Sequence, residues 1–316
     1  MLRTTEPDPF ARHWLPKLRA GDVALQVLPL YTADDPATAA AVARAQVEAF
    51  ERALAENAEE VFPVRTRADA ARVASDGRIG LMLALEGAEP LVDAELGDLW
   101  EAGVRMVGLT HNRANEFAGG VDTPGVGLTD RGRALVDELA ERGLVIDLAH
   151  ASERTFLDVL EHAPSANVVV THACCRAVHD HRRNLSDDQL HALAERDGVL
   201  GMMALALVVG GDASIERLVD HVDHAVAVMG VHHAGIGADV IDQVIEAELE
   251  AGKPLDPVTI EAMETRGGQL GLVGLRGPED YPALVDALRR RSYDGADLDA
   301  ILSGNFLRVF ERALPE

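Results

Sequence analysis

The chain has 316 residues, 47% of them hydrophobic and 26% charged, which is enough to bury a large core and suits either one α/β barrel or two average domains. Its 53 acidic against 29 basic residues give a formal net charge of -24, a field that repels phosphate backbones and excludes nucleic acid as the expected partner. Two adjacent cysteines, Cys174 and Cys175, exclude a disulfide framework and a Cys-x-x-Cys zinc knuckle. No apolar run reaches membrane-spanning length, and the first ten residues carry Pro7 and Pro9 where a secretory leader would be apolar, so a cytoplasmic protein without a membrane partner is expected.

Residues 1–20 are broken by Pro7, Pro9 and Pro16 and predict no strand. Val23, Leu25, Val27, Leu28 and Leu30 make 22–31 the first strand candidate, and an alanine-rich amphipathic helix follows at 36–58. A strand at 79–85 ends in Glu86-Gly87, a helix at 91–102 closes on Gly103, and a strand at 104–109 ends in Thr110-His111-Asn112. Gly119, Gly120, Pro124, Gly125 and Gly127 make 112–127 a loop. Thr129 and Asp130 then open a helix that stops at Gly143. Two short apolar strands come next, Leu-Val-Ile-Asp-Leu-Ala-His ending at His150 and Asn-Val-Val-Val-Thr-His-Ala containing His172. Phe156, Leu157 and Leu160 mark a helix between them. A polar loop at 176–188 carries His179, His181, Arg182 and Arg183. Beyond it lie a helix at 189–196, a strand at 199–206, a helix at 214–229 and a strand at 234–238 that ends at Asp239. The remainder reads as mostly helical, with a Gly-rich break at 267–277.

Strands alternating with helices predict a parallel sheet with crossover helices. No Gly-x-Gly-x-x-Gly turn follows the first strand, which weakens the doubly wound alternative. Polar residues recur at strand ends: Glu86, His111, His150, His172 and Asp239. An open sheet would spread them along an edge, whereas a barrel converges them on its axis. The expected fold is therefore a TIM-like (β/α)8 barrel of metal-dependent hydrolase type, with seven of eight strands readable. It is expected to form a single domain over 1–316, with the segment from about 241 packed on the barrel.

Each of these polar residues has an ordinary reading when taken singly. A histidine after a strand is commonly a loop residue, Glu86 could pair with an arginine such as Arg113, and Asp239 could cap a helix. Together they suit metal-assisted hydrolysis. Glu86, His150 and His172 offer one carboxylate and two imidazoles to zinc, and Asp239 could move a proton to a leaving group. A carboxylated-lysine bridge is closed off, because no lysine occurs between Lys17 and Lys253.

The chain resembles the renal or membrane dipeptidase family, zinc enzymes of the amidohydrolase-like barrel class, from about Leu15 to Val309. The resemblance rests on Leu-Pro-Lys-Leu-Arg-Ala-Gly (15–21), Leu-Glu-Gly-Ala-Glu (85–89), Leu-Thr-His-Asn (109–112), Gly-Leu-Thr-Asp-Arg-Gly (127–132), Ile-Asp-Leu-Ala-His-Ala-Ser (146–152), Thr-His-Ala (171–173), Arg-Arg-Asn-Leu-Ser-Asp-Asp (182–188), Gly-Ile-Gly-Ala-Asp (235–239) and Gly-Asn-Phe-Leu-Arg-Val (304–309). It implies a metallodipeptidase whose substrate is a dipeptide, with Glu86 bridging two zinc ions and His150 and His172 holding the second. By the same resemblance His111 contacts the substrate carbonyl, Arg183 clamps the dipeptide carboxylate, Asp239 shuttles the proton, and the protein is a homodimer.

The chain departs from this pattern in two places. The family's His-x-Asp motif, at the end of its first barrel strand, has no counterpart in the first 30 residues, which leaves one zinc site readable instead of two. The motif and the eighth strand are the same gap. An open barrel leaves the strands near 22 and 234 with unpaired edges, so the expectation is a strand upstream of Met1. The alternative is a catalytically impaired barrel that binds peptide or a partner without turnover. The second departure is Asp239-Val-Ile-Asp, where the family usually has Asp-Phe-Asp-Gly.

Overall fold

The computed structural model describes residues 7–32, 36–242, 245, 249 and 270–316. Most of the predicted C-terminal segment between 243 and 269, including the start of its Gly-rich break, lies outside the described residues.

Every strand expected from the apolar runs is present, although most are shorter than their runs. They are β1 (Leu25–Tyr31), β3 (Ile79–Glu86), β4 (Val104–Gly108), β5 (Val145–Asp147), β6 (Asn167–Ala173), β7 (Leu200–Met202) and β8 (Ala234–Ile236). A further short strand, β2 (Val61–Pro63), pairs with β3 and was not anticipated. It has three residues and ends in proline, too little for a periodicity to register. All pairings are parallel, in the order β1-β3-β4-β5-β6-β7-β8, with β2 beside β3. The sheet curls into a half-barrel. Among the described residues no ladder joins β8 to β1, in keeping with a barrel of seven readable strands.

Local chemistry explains the helices that flank the site. Ser152 caps the helix Glu153–His162, its hydroxyl accepting from the Thr155 amide. Ser186 and Gln189 form a capping box that starts the helix Asp187–Glu195. Thr129 caps the helix Asp130–Glu141, and the chain leaves that helix through Gly143 at φ 70. The stretch expected to be one helix at 91–102 is instead a 3-10 turn at Glu89–Val92 and a short helix at Leu96–Glu101.

Two apolar layers follow from the pleat. Leu81, Leu83 and Leu85 of β3 point into the larger layer under the helices, with Ile146, Val168 and Phe156. Met82 and Ala84, on the opposite face, join Met106, Val145, Val169 and Val199 in a second cluster, which Val309, Phe310 and Leu314 complete. These last residues come from the helix Asn305–Ala313 and the turn after it. Asn305 donates to the Val231 and Ala234 carbonyls, both at 2.7 Å, and ties this helix to the start of β8.

Candidate metal centre

The other end of the same inner face carries the polar residues. Glu86 closes β3, two positions beyond Ala84 and on the same side of the strand. His172 lies near the end of β6. His150 follows β5 and stands at φ 64, a left-handed conformation of the kind that clusters at functional sites. Its carbonyl accepts from the Val121 amide at 2.9 Å, which helps to hold that turn. Donor atoms of Glu86, His150 and His172 all lie within 4.8 Å of one another, a group able to hold a metal ion. His150 Nε2 is 3.2 Å and His172 Nε2 3.7 Å from Glu86 Oε1, and the two imidazole Nε2 atoms are 2.7 Å apart.

The remaining ring nitrogens are engaged from behind. His150 Nδ1 donates to Asn112 Oδ1 at 2.9 Å, and His172 Nδ1 lies 2.7 Å from the Thr171 hydroxyl. Both Nε2 atoms therefore face the same point, beside a carboxylate oxygen. Burial drives both imidazoles well below their ordinary pKa. The cation of Arg183 lowers both further, and Glu86 pulls His172 back up only in part. Two imidazole nitrogens 2.7 Å apart beside a carboxylate oxygen form a donor set that a divalent cation would bridge. An N2O donor set of this kind fits zinc or a similar first-row ion.

Around this group stand the other residues singled out in the sequence. The His111 ring lies 4.4 Å from that of His150 and meets Tyr31 edge-on at 5.0 Å. Arg183 is buried, and its Nη2 donates to the His172 carbonyl at 3.2 Å. Desolvation lowers its guanidinium, against the fields of Asp239, Glu86 and Asp147. Asp239 sits just past β8 at φ 50 and joins the group through its field. Burial and the charge of Glu86 push its carboxyl up to about 7, against the pull of Arg183 and His111. Glu86 faces imidazoles and not the guanidinium of Arg113. A cavity of about 350 Å³ opens beside His150 and Arg183, with Leu148, Phe156 and Val170 in its walls and Arg176 and Arg182 among its polar lining.

Four neighbours were not singled out as site residues. Asn112, Thr171 and Asp147 contact these two histidines or each other, and all three lie in the motifs quoted above, within three positions of a candidate ligand or of His111. Tyr281 gave no comparable signal. Its phenol is pushed up to about 12 by burial and then by Asp239 and Glu279. The two cysteines are buried and unbridged. Burial raises both thiols, Cys174 to about 12, which suits packing residues.

Comparison with known proteins points the same way as this geometry. A sequence model described as membrane dipeptidase (peptidase family M19) matches residues 8–260. An uncharacterized protein in the pqqA 5' region of Klebsiella pneumoniae is 29% identical over 282 residues, 84% of this chain and 94% of that protein. The dipeptidase verJ of Clonostachys rogersoniana is 27% identical over 253 residues. That match takes in 78% of this chain but only 58% of verJ, so the chain spans well under two thirds of that relative. Among solved structures, a metallopeptidase called dipeptidase AC superposes with a TM-score of 0.79 at 25% identity, covering 96% of this chain and 89% of that one. A metallopeptidase from Rhodobacter sphaeroides, liganded with a phosphinate mimic of L-Ala-D-Ala, gives 0.80 at 24% identity over 95% and 89% of the two chains, and at that identity speaks for the fold.

Proposed function

The chain belongs to the membrane dipeptidase family, peptidase family M19, and from that premise we propose that it is a zinc-dependent dipeptidase whose metal is held by Glu86, His150 and His172. Membership makes it a metallopeptidase, a hydrolase of peptide bonds. The choice of zinc, the residue roles and the substrate are the proposal. The observation that carries it is the convergence of two imidazole nitrogens and one carboxylate on a single point.

Zinc bound there supplies Lewis acidity and a water that ionises near neutral pH. The surrounding residues do the rest. Arg183, buried and with one of its nitrogens held by the His172 carbonyl, presents its fork to the carboxylate of a short peptide. His111 donates to the scissile carbonyl oxygen as it gains charge. Asp239, poised at about 7, takes a proton and delivers it to the departing amine. Short peptides fit a site in which the carboxylate clamp stands next to the metal ligands, because a longer C-terminal extension would meet Arg183.

No helix among the described residues is long and apolar enough to cross a membrane. We place the enzyme in the cytoplasm as a homodimer, with a single domain formed by 1–316. The test of the function is dipeptide hydrolysis by the zinc-loaded protein and by Glu86→Gln and His150→Ala. Wild-type turnover lost in both variants supports the reading, and retained turnover in either rejects it.

A further inference from the structure

The two ligand histidines are not held in the same way, and the difference lies in a chain of side chains behind His172. Asp147, the last residue of β5, accepts three hydrogen bonds. Its Oδ1 takes the amides of Ala149 at 3.0 Å and Thr171 at 2.9 Å, and its Oδ2 takes the Thr171 hydroxyl at 2.5 Å. A hydroxyl has one proton, and an ionised Asp147 takes that of Thr171. Towards His172 the same oxygen can only accept, so at 2.7 Å the proton must sit on His172 Nδ1. That leaves His172 Nε2 bare and facing Glu86 and His150.

The backbone that carries this relay is gripped from the far side. A Cβ at either Gly201 or Gly237 would overlap the Thr171 carbonyl oxygen, so β7 and the end of β8 close on it without side chains. The Arg183 guanidinium holds the next carbonyl, that of His172. The backbone at Thr171 therefore has little room to shift away from Asp147.

We infer that Asp147 and Thr171 are positioning residues that dictate which nitrogen of His172 carries the proton, and so set the metal affinity of the centre. The inference rests on reading Glu86, His150 and His172 as that centre. Outer partners of metal-bound histidines typically govern affinity by about 10- to 100-fold.

The decisive variant is Asp147→Asn. The two backbone amides keep its carboxamide oxygen in the Oδ1 position, which turns the NH2 group towards Thr171. The hydroxyl must then accept from the amide and donate to His172 Nδ1, which forces the proton onto Nε2 and blocks the metal-facing nitrogen. An amide-for-carboxylate exchange that preserves shape but selects the wrong tautomer has this signature. Zinc affinity, measured by competition with a chromophoric chelator, is expected to fall about 10- to 100-fold in Asp147→Asn and in Thr171→Val, and to survive in Thr171→Ser. Imidazole 15N NMR of the metal-free wild type reads the tautomer without any substitution. A proton on His172 Nδ1 supports the relay, and one on Nε2 overturns it. Wild-type affinity in a folded Asp147→Asn also overturns the relay while leaving the metal centre intact. A wild type that binds no zinc overturns the centre and the relay together.

Discussion

The two ends of the inner face of the sheet are built from the same strands and hold opposite chemistry. On β3, Met82 and Ala84 face the apolar cluster closed by Phe310 and Leu314, and Glu86, the next residue on that side, faces two imidazoles. The apolar end needs only burial and shape, so its residues can come from distant segments that happen to fit. The polar end needs every donor and acceptor matched, because a buried polar group without a partner is costly. It therefore uses special backbone, with His150 and Asp239 in left-handed conformations that cost about 1–3 kcal/mol each by general experience. The apolar end supplies the stability that lets the polar end keep that strain.

This contrast can be broken from either side. The largest effect is expected from the polar end: Glu86→Gln or His150→Ala should remove zinc binding and dipeptide hydrolysis together, with little change in the melting temperature of the metal-free protein for Glu86→Gln. Metal analysis, turnover and apo-protein melting on the same preparation check it. Phe310→Ala is the converse. Phe310 is 2% exposed, and truncating a buried phenylalanine costs about 3–5 kcal/mol of stability. Denaturant unfolding should show that loss, and zinc affinity below the transition should be unchanged. If Phe310→Ala weakens zinc binding as much as it weakens the fold, the two ends are not separable.

Smaller effects sharpen the polar end. Asn112→Ala removes the acceptor for His150 Nδ1 and should weaken zinc by about 10- to 100-fold, as read by chelator competition. Arg183→Lys keeps the charge but loses the fork, and should raise KM for dipeptides more than it lowers kcat. The pH profile is the mildest test. Asp239 must be ionised to accept a proton, so kcat/KM should rise with pH through its pKa and level off above it. Burial and Glu86 place that value at about 7, and a bound cation lowers it, so the limb of the loaded enzyme should lie at or below about 7. A limb well above 7 would remove Asp239 from that role.

Much of the fold was readable because its signals are local. Apolar runs of strand length, alternating with helices, appear in the sequence in the order they occur in space, and the residues of the candidate metal centre stand at the ends of those runs. What escaped depends on contacts between distant segments. The strand Val61–Pro63 is too short to show a period, and it is defined by pairing with Ile79–Leu81. The seal formed by Phe310 and Leu314 joins the C-terminus to strands more than 100 residues earlier, and nothing near position 310 announces it. Histidine and aspartate enter the left-handed region more readily than most non-glycine residues, but most of them do not, so residue type alone does not pick out His150 and Asp239. Asp147 and Thr171 were present in the motifs, but their role emerges only when β5 and β6 lie side by side and one hydroxyl proton has to be shared out.

The central claim is that Glu86, His150 and His172 hold a metal ion. Anomalous diffraction at the zinc edge from crystals of the zinc-loaded protein tests it most directly. The account predicts a peak about 2.0–2.2 Å from His150 Nε2, His172 Nε2 and a Glu86 carboxylate oxygen. A loaded, active protein whose zinc peak lies away from these three atoms would contradict it.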